Sequence, residues 1–354
     1  MNKELSGFEF LSSLCDVFAP SGGERPATEL IKEQISSYCD DVWYDKKGNL
    51  ICRISPEKES SENVLFCAAA DERSFMVTDI DGDGRLRVDA LGGGRTDLIS
   101  GRKVTVGRGD KTTVGIFSSK PVHLQSGDEE KKPTPLDKMY IELGTGSKEE
   151  TEKLVKRGDL CTFRSKSEDF GDGLFKGKAL EYRVGCAVLC ELIRSVDRSR
   201  ISENLYFAFT VLGALGKRAS GASVAANVIS PVRAYVFDGL NSGDVYGAKE
   251  HEMNCRLGDG VVISAADVWT VYSPTLTAEY AEKLRAAGIK TQLNRTNGGN
   301  DISAEIQRSG TGTSVVSVRI PVRYAGTPSS LISKSDYENM TAAAKACLSG
   351  GMKK

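Results

Sequence analysis

The stretch Gly177-Lys178-Ala179-Leu180-Glu181-Tyr182-Arg183-Val184-Gly185-Cys186-Ala187-Val188-Leu189-Cys190 decides how the chain is read. An apolar strand end runs into a carboxylate at Glu181 and Arg183 follows. A helix then opens whose apolar positions (Val184, Val188, Leu189, Leu192, Ile193) recur at helical spacing. An acid ahead of a buried helix, at the carboxyl end of a strand, is where open α/β sheets hold their chemistry. The same acid also serves as a helix cap stabilised by the helix dipole, so these residues alone leave both roles open.

On either side of this stretch helices and strands alternate. Residues 4–18 read as an apolar helix ended by Pro20-Ser21-Gly22-Gly23, and a second helix covers roughly 24–38. Val42-Trp43-Tyr44 and Leu50-Ile51-Cys52-Arg53-Ile54 flank the turn Lys46-Lys47-Gly48-Asn49 and read as a hairpin. Val64-Leu65-Phe66-Cys67-Ala68-Ala69-Ala70 is a continuous apolar run suited to a strand buried on both faces. From about 74 to 171 short alternating segments take over, separated by Gly, Asp and Lys turns: Arg85–Val88, Lys103–Val106, Thr113–Phe117 and Met139–Leu143. After 172 the mixed pattern returns, with core strands at Leu205–Val211 and Ala234–Asp238, helices near 275–287, 301–308 and 336–348, and strands near 261–264 and 314–321. The expected organisation is one α/β domain made of residues 1–73 and 172–354, interrupted by an inserted β domain over 74–171.

Composition narrows the function classes. A formal net charge of −1 gives no basic field for nucleic acid or an anionic membrane. No apolar run approaches the length of a membrane span, and the start Met1-Asn2-Lys3-Glu4-Leu5 has no signal-peptide core, so the chain reads as cytoplasmic. Nine scattered cysteines without a Cys-x-x-Cys pair read as buried reduced thiols. Histidine is the informative count, because only His123 and His251 exist. Three local patterns fail on their own chemistry. Asp79-Ile80-Asp81-Gly82-Asp83-Gly84 lacks the glutamate a calcium loop needs at its twelfth position, which is Ala90, and reads as a hairpin turn. Gly213-Ala214-Leu215-Gly216-Lys217-Arg218 has neither the spacing nor the hydroxyl of a phosphate loop. His251-Glu252-Met253-Asn254-Cys255 is one residue short of the His-Glu-x-x-His zinc pattern and lies between glycines.

The Gly-Lys-Ala-Leu-x-x-Arg-x-Gly-Cys-Ala pattern resembles the central motif of the glutamyl aminopeptidase family. These dinuclear metallo-aminopeptidases form tetrahedral (TET) particles and are also known as endoglucanase M. The resemblance runs nearly end to end and implies a metallo-aminopeptidase-like α/β fold, a mixed sheet flanked by helices with an inserted small all-β domain that mediates dimer contacts. It also implies a set of site positions. The first ligand histidine of the family's His-x-Asp motif matches Ala69, while the aspartate of that motif is kept as Asp71. The bridging aspartate matches Glu181. The family's Gln-Glu-Glu, which carries the general base and a metal ligand, matches Leu212-Gly213-Ala214, so both glutamates are gone. The metal aspartate is kept as Asp238, the pocket loop survives as Gly298-Gly299-Asn300-Asp301, and the last histidine matches Gly326.

Only Glu181 and Asp238 therefore keep donors at the five ligand positions, and the base position, Gly213, has no side chain. Two carboxylates fall short of a zinc site, and without a metal nothing lowers the pKa of an attacking water. The expectation is a catalytically silent homologue with no cofactor, kept for assembly or binding. It would be a dimer at least, with the dodecamer as the larger particle or an active paralogue as partner, and without nucleic acid or membrane. The alternative is a hydrolase rebuilt around Asp71, Glu72, Glu181 and Asp238 holding zinc or a harder divalent ion such as Mg²⁺ or Mn²⁺. Acids left in an emptied cleft take up protons or find a cation. Arg73 is expected to turn inward and form a bidentate pair with Glu181 or Asp238, with Arg183 and Arg218 assisting and Asn300 and Asp301 at the rim.

Overall fold

The structure is a computed structural model and describes residues 4–92, 98–127, 131–216, 220–253, 255–295, 299 and 301–348. The apolar run read at 64–70 is the strand Asn63–Ala69 near the middle of an eight-stranded sheet. Across the sheet the strands run Asp41–Tyr44, Leu50–Ile54, Asn204–Thr210, Asn63–Ala69, Arg233–Asn241, Ser314–Val322, Val261–Ala266 and Thr291–Arg295. The four from Asn204–Thr210 to Ser314–Val322 are mutually parallel, and the hairpin Asp41–Tyr44/Leu50–Ile54 adds antiparallel strands at one edge.

The two-residue period of the central strand divides the core. Val64, Phe66 and Ala68 face the helices Gly7–Asp16, Leu180–Arg194, Pro274–Ala286 and Lys334–Ala346. Leu65, Cys67 and Ala69 face the helices Ala222–Ile229 and Asp301–Gln307. Phe66 stacks between Phe207 and Tyr235 at centroid distances of 5.0 and 5.3 Å. A sheet so covered on both faces reads as continuous apolar sequence.

Six strands between Ser74 and Phe163 close into a separate barrel filled by Phe75, Val77, Leu86, Val104, Phe117, Ile141 and Cys161. The return to the α/β body differs from the division at 171/172. The strand Glu168–Phe170 pairs with Leu174–Gly177, which in turn pairs with Ser330–Ser333. The crossing therefore lies between 163 and 168. The Asp79–Gly84 run is the expected hairpin turn, with Asp81 accepting from the backbone N–H of Asp83 and Arg85. All nine cysteines are free, seven buried and two half-buried. Among the described residues no helix is long and apolar enough to cross a membrane.

Candidate active site

The strand Asn63–Ala69 leads into Asp71, Glu72 and Arg73, the neighbouring strand Arg233–Asn241 carries Asp238, and the backbone bordering the site is strained. Among the described residues four non-glycine positions have positive φ, and three of them border the site: Ala179 (57°), Leu212 (59°) and Tyr324 (56°). Each stands one or two residues before a position matched to a family ligand or base: Glu181, Gly213 and Gly326. Left-handed backbone at such residues costs energy that the surrounding structure must offset, and it concentrates at functional sites. Glu181 lies inside the first turn of the helix Leu180–Arg194, not ahead of it. The strand before it, Leu174–Gly177, belongs to the small three-stranded sheet, not to the main one.

The acids divide into an inner cluster and a cleft. Glu72 is buried and accepts from Lys178 Nζ with both oxygens, at 2.6 and 2.7 Å, and from the Ala19 N–H at 3.3 Å. Arg183 is fully buried, lies 3.6 Å from Glu72 and donates to the carbonyls of Leu14, Ala19 and Asp71 at 2.7, 3.0 and 3.1 Å. Neither Glu72 nor Arg183 lines the cleft, contrary to the sequence expectation. Both tie the first helix and its following loop to the central strand. Asp71 accepts from Ser21 Oγ at 2.6 Å and from the Ala214 N–H at 2.8 Å, both on Oδ2. Burial pushes its carboxyl up to about 7, opposed chiefly by the Ser21 hydrogen bond.

The cleft is a cavity of about 400 Å³ whose wall includes Arg73, Glu181, Tyr182, Asp238, Trp269 and Arg319. Arg73 does turn inward, but its Nε stands 3.9 Å from Glu181 Oε1, so the pair is a single long contact and not the bidentate one expected. Asp238 is met by a different arginine. Arg319 occupies the neighbouring strand in parallel register with it and donates from Nε at 2.8 Å, while its Nη2 donates to the Gly239 carbonyl at 3.0 Å. Burial raises Asp238 to about 6 against the pull of Arg319, and burial likewise raises Glu181 against Arg73. Arg319 was not singled out from sequence. The available signal was one charge inside the apolar strand run Val315–Val322. Arg218 and Asn300 lie outside the described residues. Asp301 opens the helix Asp301–Gln307, and its side chain lies outside them too.

These residues do not fit a dinuclear metal centre. Three of the five matched ligand positions carry no donor atom, and the two remaining carboxylates already face guanidinium groups. The space has been reused as well. A Cβ built on Gly326 would stand 3.0 Å from Cδ, Cζ and Nε of Arg73, so the arginine fills the place of the missing side chain. A Cβ on Gly213 would stand 2.5 Å from the Cβ of Ala69, which closes the base position to any side chain without movement. The acidic alternative fits no better, since both oxygens of Glu72 are held by Lys178. Among the described residues no group of three or more His, Cys, Asp or Glu side chains is placed to hold an ion.

A both-face-covered mixed sheet, an attached closed barrel and an acid-lined cleft at the carboxyl ends of parallel strands define an aminopeptidase-type α/β scaffold. The chain belongs to the M42 glutamyl aminopeptidase family, whose model matches residues 48–342. A relative from Acetivibrio thermocellus that carries an aminopeptidase name is 32% identical and covers 94% of this chain and 95% of its own. The crystal structure of a TET aminopeptidase from a marine-sediment Thaumarchaeota archaeon superposes with a TM-score of 0.90 at 29% identity, over 96% of this chain and 95% of that one. A TET peptidase of Pyrococcus horikoshii, which can assemble into a tetrahedron or a large octahedral shell, is 28% identical with a TM-score of 0.84, over 97% and 99% of the two chains.

Proposed function

We propose that this chain is a catalytically silent aminopeptidase homologue without a metal cofactor, acting through assembly or through binding in its cleft. The observation that carries the reading is the pairing of both surviving ligand-position carboxylates with arginines, Glu181 with Arg73 and Asp238 with Arg319. A guanidinium supplies positive charge to a buried acid, as a metal would, but it neither polarises a carbonyl as a Lewis acid nor delivers a hydroxide at neutral pH. The base position adds nothing, being Gly213.

The same reading extends to assembly. We infer self-association, at least as a dimer and up to a dodecamer, with the barrel as the contact surface or with an active paralogue in a mixed particle. Support comes from the assembled neighbours and from Val114 and Ile116, which stand 40% and 44% exposed on one face of the barrel strand Lys111–Ser118. Sedimentation at several concentrations tests it, and a constant 38.1 kDa species counts against it.

Catalytic silence is tested by elemental analysis of protein incubated with zinc, cobalt or manganese, followed by a panel of aminoacyl-nitroanilides. The expected result is substoichiometric metal and no turnover above a buffer blank. Two tightly held equivalents of metal, with turnover that a chelator abolishes, would restore the hydrolase reading.

A further inference from the structure

Of the buried polar atoms in the cleft with no hydrogen-bond partner among the described residues, two are of opposite character and belong to its most buried charged residues. One is Glu181 Oε2, an acceptor, and the other is Arg319 Nη1, a donor. Both side chains belong to residues that are 6% exposed, and both residues line the cavity of about 400 Å³. They flank a single strand residue. A Cβ on Gly239 would stand 2.7 Å from Glu181 Cα, and the Gly239 carbonyl is the acceptor for Arg319 Nη2 at 3.0 Å. A buried donor and a buried acceptor left unmade each cost about 1–3 kcal/mol, more when charged, so a ligand that bridges them gains on both sides.

The charge pattern restricts what that ligand is. Two acids, Glu181 and Asp238, face two arginines, Arg73 and Arg319. A simple anion meets the acids and a simple cation meets the arginines, whereas a zwitterion adds no net charge and offers one group to each side. The rest of the wall includes apolar Trp269, Ile302 and Leu240. We propose that the cleft binds a free α-amino acid with an apolar side chain. Its ammonium donates to Glu181 Oε2, its carboxylate accepts from Arg319 Nη1, and its side chain lies towards Trp269. This rests on the reading that the cleft performs no metal chemistry. It differs from recognition of a peptide N-terminus because the free α-carboxylate is itself read.

The test is titration calorimetry of the full chain in chelating buffer with L-leucine and L-phenylalanine. The comparators are L-leucinamide, which lacks the carboxylate, N-acetyl-L-leucine, which lacks the ammonium, and leucylglycine, whose carboxylate is displaced. At least one free amino acid should bind, and each leucine comparator should bind about 100-fold more weakly than leucine, because each leaves one buried charged group of the cleft without its partner. Leucinamide binding as tightly as leucine, or no binding of either amino acid at millimolar concentration, overturns the proposal. Arg319→Lys, which keeps a cation beside Asp238, and Glu181→Gln should each weaken binding by about tenfold or more. The analogue series decides the matter even if these variants fail to fold. Metal content and nitroanilide turnover measured on the same preparation decide catalytic silence separately. A chain that turns over yet binds leucine in chelator loses only the silent reading, and a silent chain that binds neither amino acid loses only this one.

Discussion

The inner cluster and the cleft are built from the same residue types and are finished to different degrees. Glu72, Lys178 and Arg183 close on one another and on the carbonyls of Leu14, Val17, Ala19 and Asp71, with all three side chains under 5% exposed. In the cleft, by contrast, Arg73 meets Glu181 once at 3.9 Å, and Arg319 satisfies Asp238 with one nitrogen while another has no partner among the described residues. Fully bonded buried charges specify a packing and are costly to break singly, whereas half-bonded ones mark a place where solvent or a ligand completes the set. The inner cluster is scaffold. The cleft is where the proposed ligand would complete the set.

The comparison breaks most visibly at Arg183. Arg183→Ala strands Glu72 beside a lone lysine and leaves three buried carbonyls without their donor. The expected loss is about 5 kcal/mol, or no soluble folded protein at all. Urea unfolding reads this, and a loss below about 1 kcal/mol would put the inner cluster on the same footing as a surface pair.

The next effect is a pH dependence. Burial holds the folded pKa of Asp71 at about 7, while an unfolded aspartate titrates near 4. The folded state therefore keeps the proton more tightly. The stability contributed by that proton is complete below about pH 4 and is lost as pH rises to about 7, a fall of roughly 4 kcal/mol for this group. Asp238, raised to about 6, adds a shallower fall that ends earlier. Asp71→Asn should flatten most of the slope between about pH 4 and 7 in urea midpoints, and an unchanged slope would assign it to other groups.

A smaller loss is expected on the cleft side. Arg319→Ala leaves Asp238 buried without its guanidinium, and the carboxyl escapes part of the cost by taking up a proton, so about 3 kcal/mol is expected at neutral pH. The loss should shrink as the pH is lowered below about 6, where Asp238 is already protonated in the parent chain. A pH-independent loss would show that Arg319 acts through packing alone.

What the sequence disclosed follows from the range of each interaction. The central strand Asn63–Ala69, the hairpin before it and the helix that holds Glu181 were legible because their apolar patterns are local. The strand Thr291–Arg295 was missed. It sits at the sheet edge, exposed or half-buried throughout, and its Thr-Gln-Leu-Asn-Arg run shows no apolar alternation. The helix Ala222–Ile229 was missed too, since at eight residues it is too short for an apolar repeat to recur over more than about two turns. At the site, the family motif suggests which positions lack a donor side chain, but it does not show which residues stand beside the remaining acids. Arg319 reaches Asp238 only through the register of two parallel strands 81 residues apart, and Lys178 reaches Glu72 across 106 residues. Such pairs are made by the tertiary fold, and nothing in their immediate neighbours announces them.

The smallest single effect belongs to Arg73, the residue to which sequence reasoning gave the largest part. A bidentate buried pair would be worth several kcal/mol, but the contact is 3.9 Å and the arginine side chain is 37% exposed, so Arg73→Ala should cost about 1 kcal/mol or less. Its larger consequence concerns the space it fills. Because the guanidinium end lies 3.0 Å from a Cβ built on Gly326, Gly326→His alone must displace Arg73 as well as accept a φ of +77°. In the Arg73→Ala background the backbone strain remains and the displacement does not. The two substitutions should therefore couple favourably, by about 1 kcal/mol in a double-mutant cycle of urea unfolding. Additivity within about 0.3 kcal/mol would mean that the histidine position is open, and that Arg73 leans over an empty site and does not occupy it.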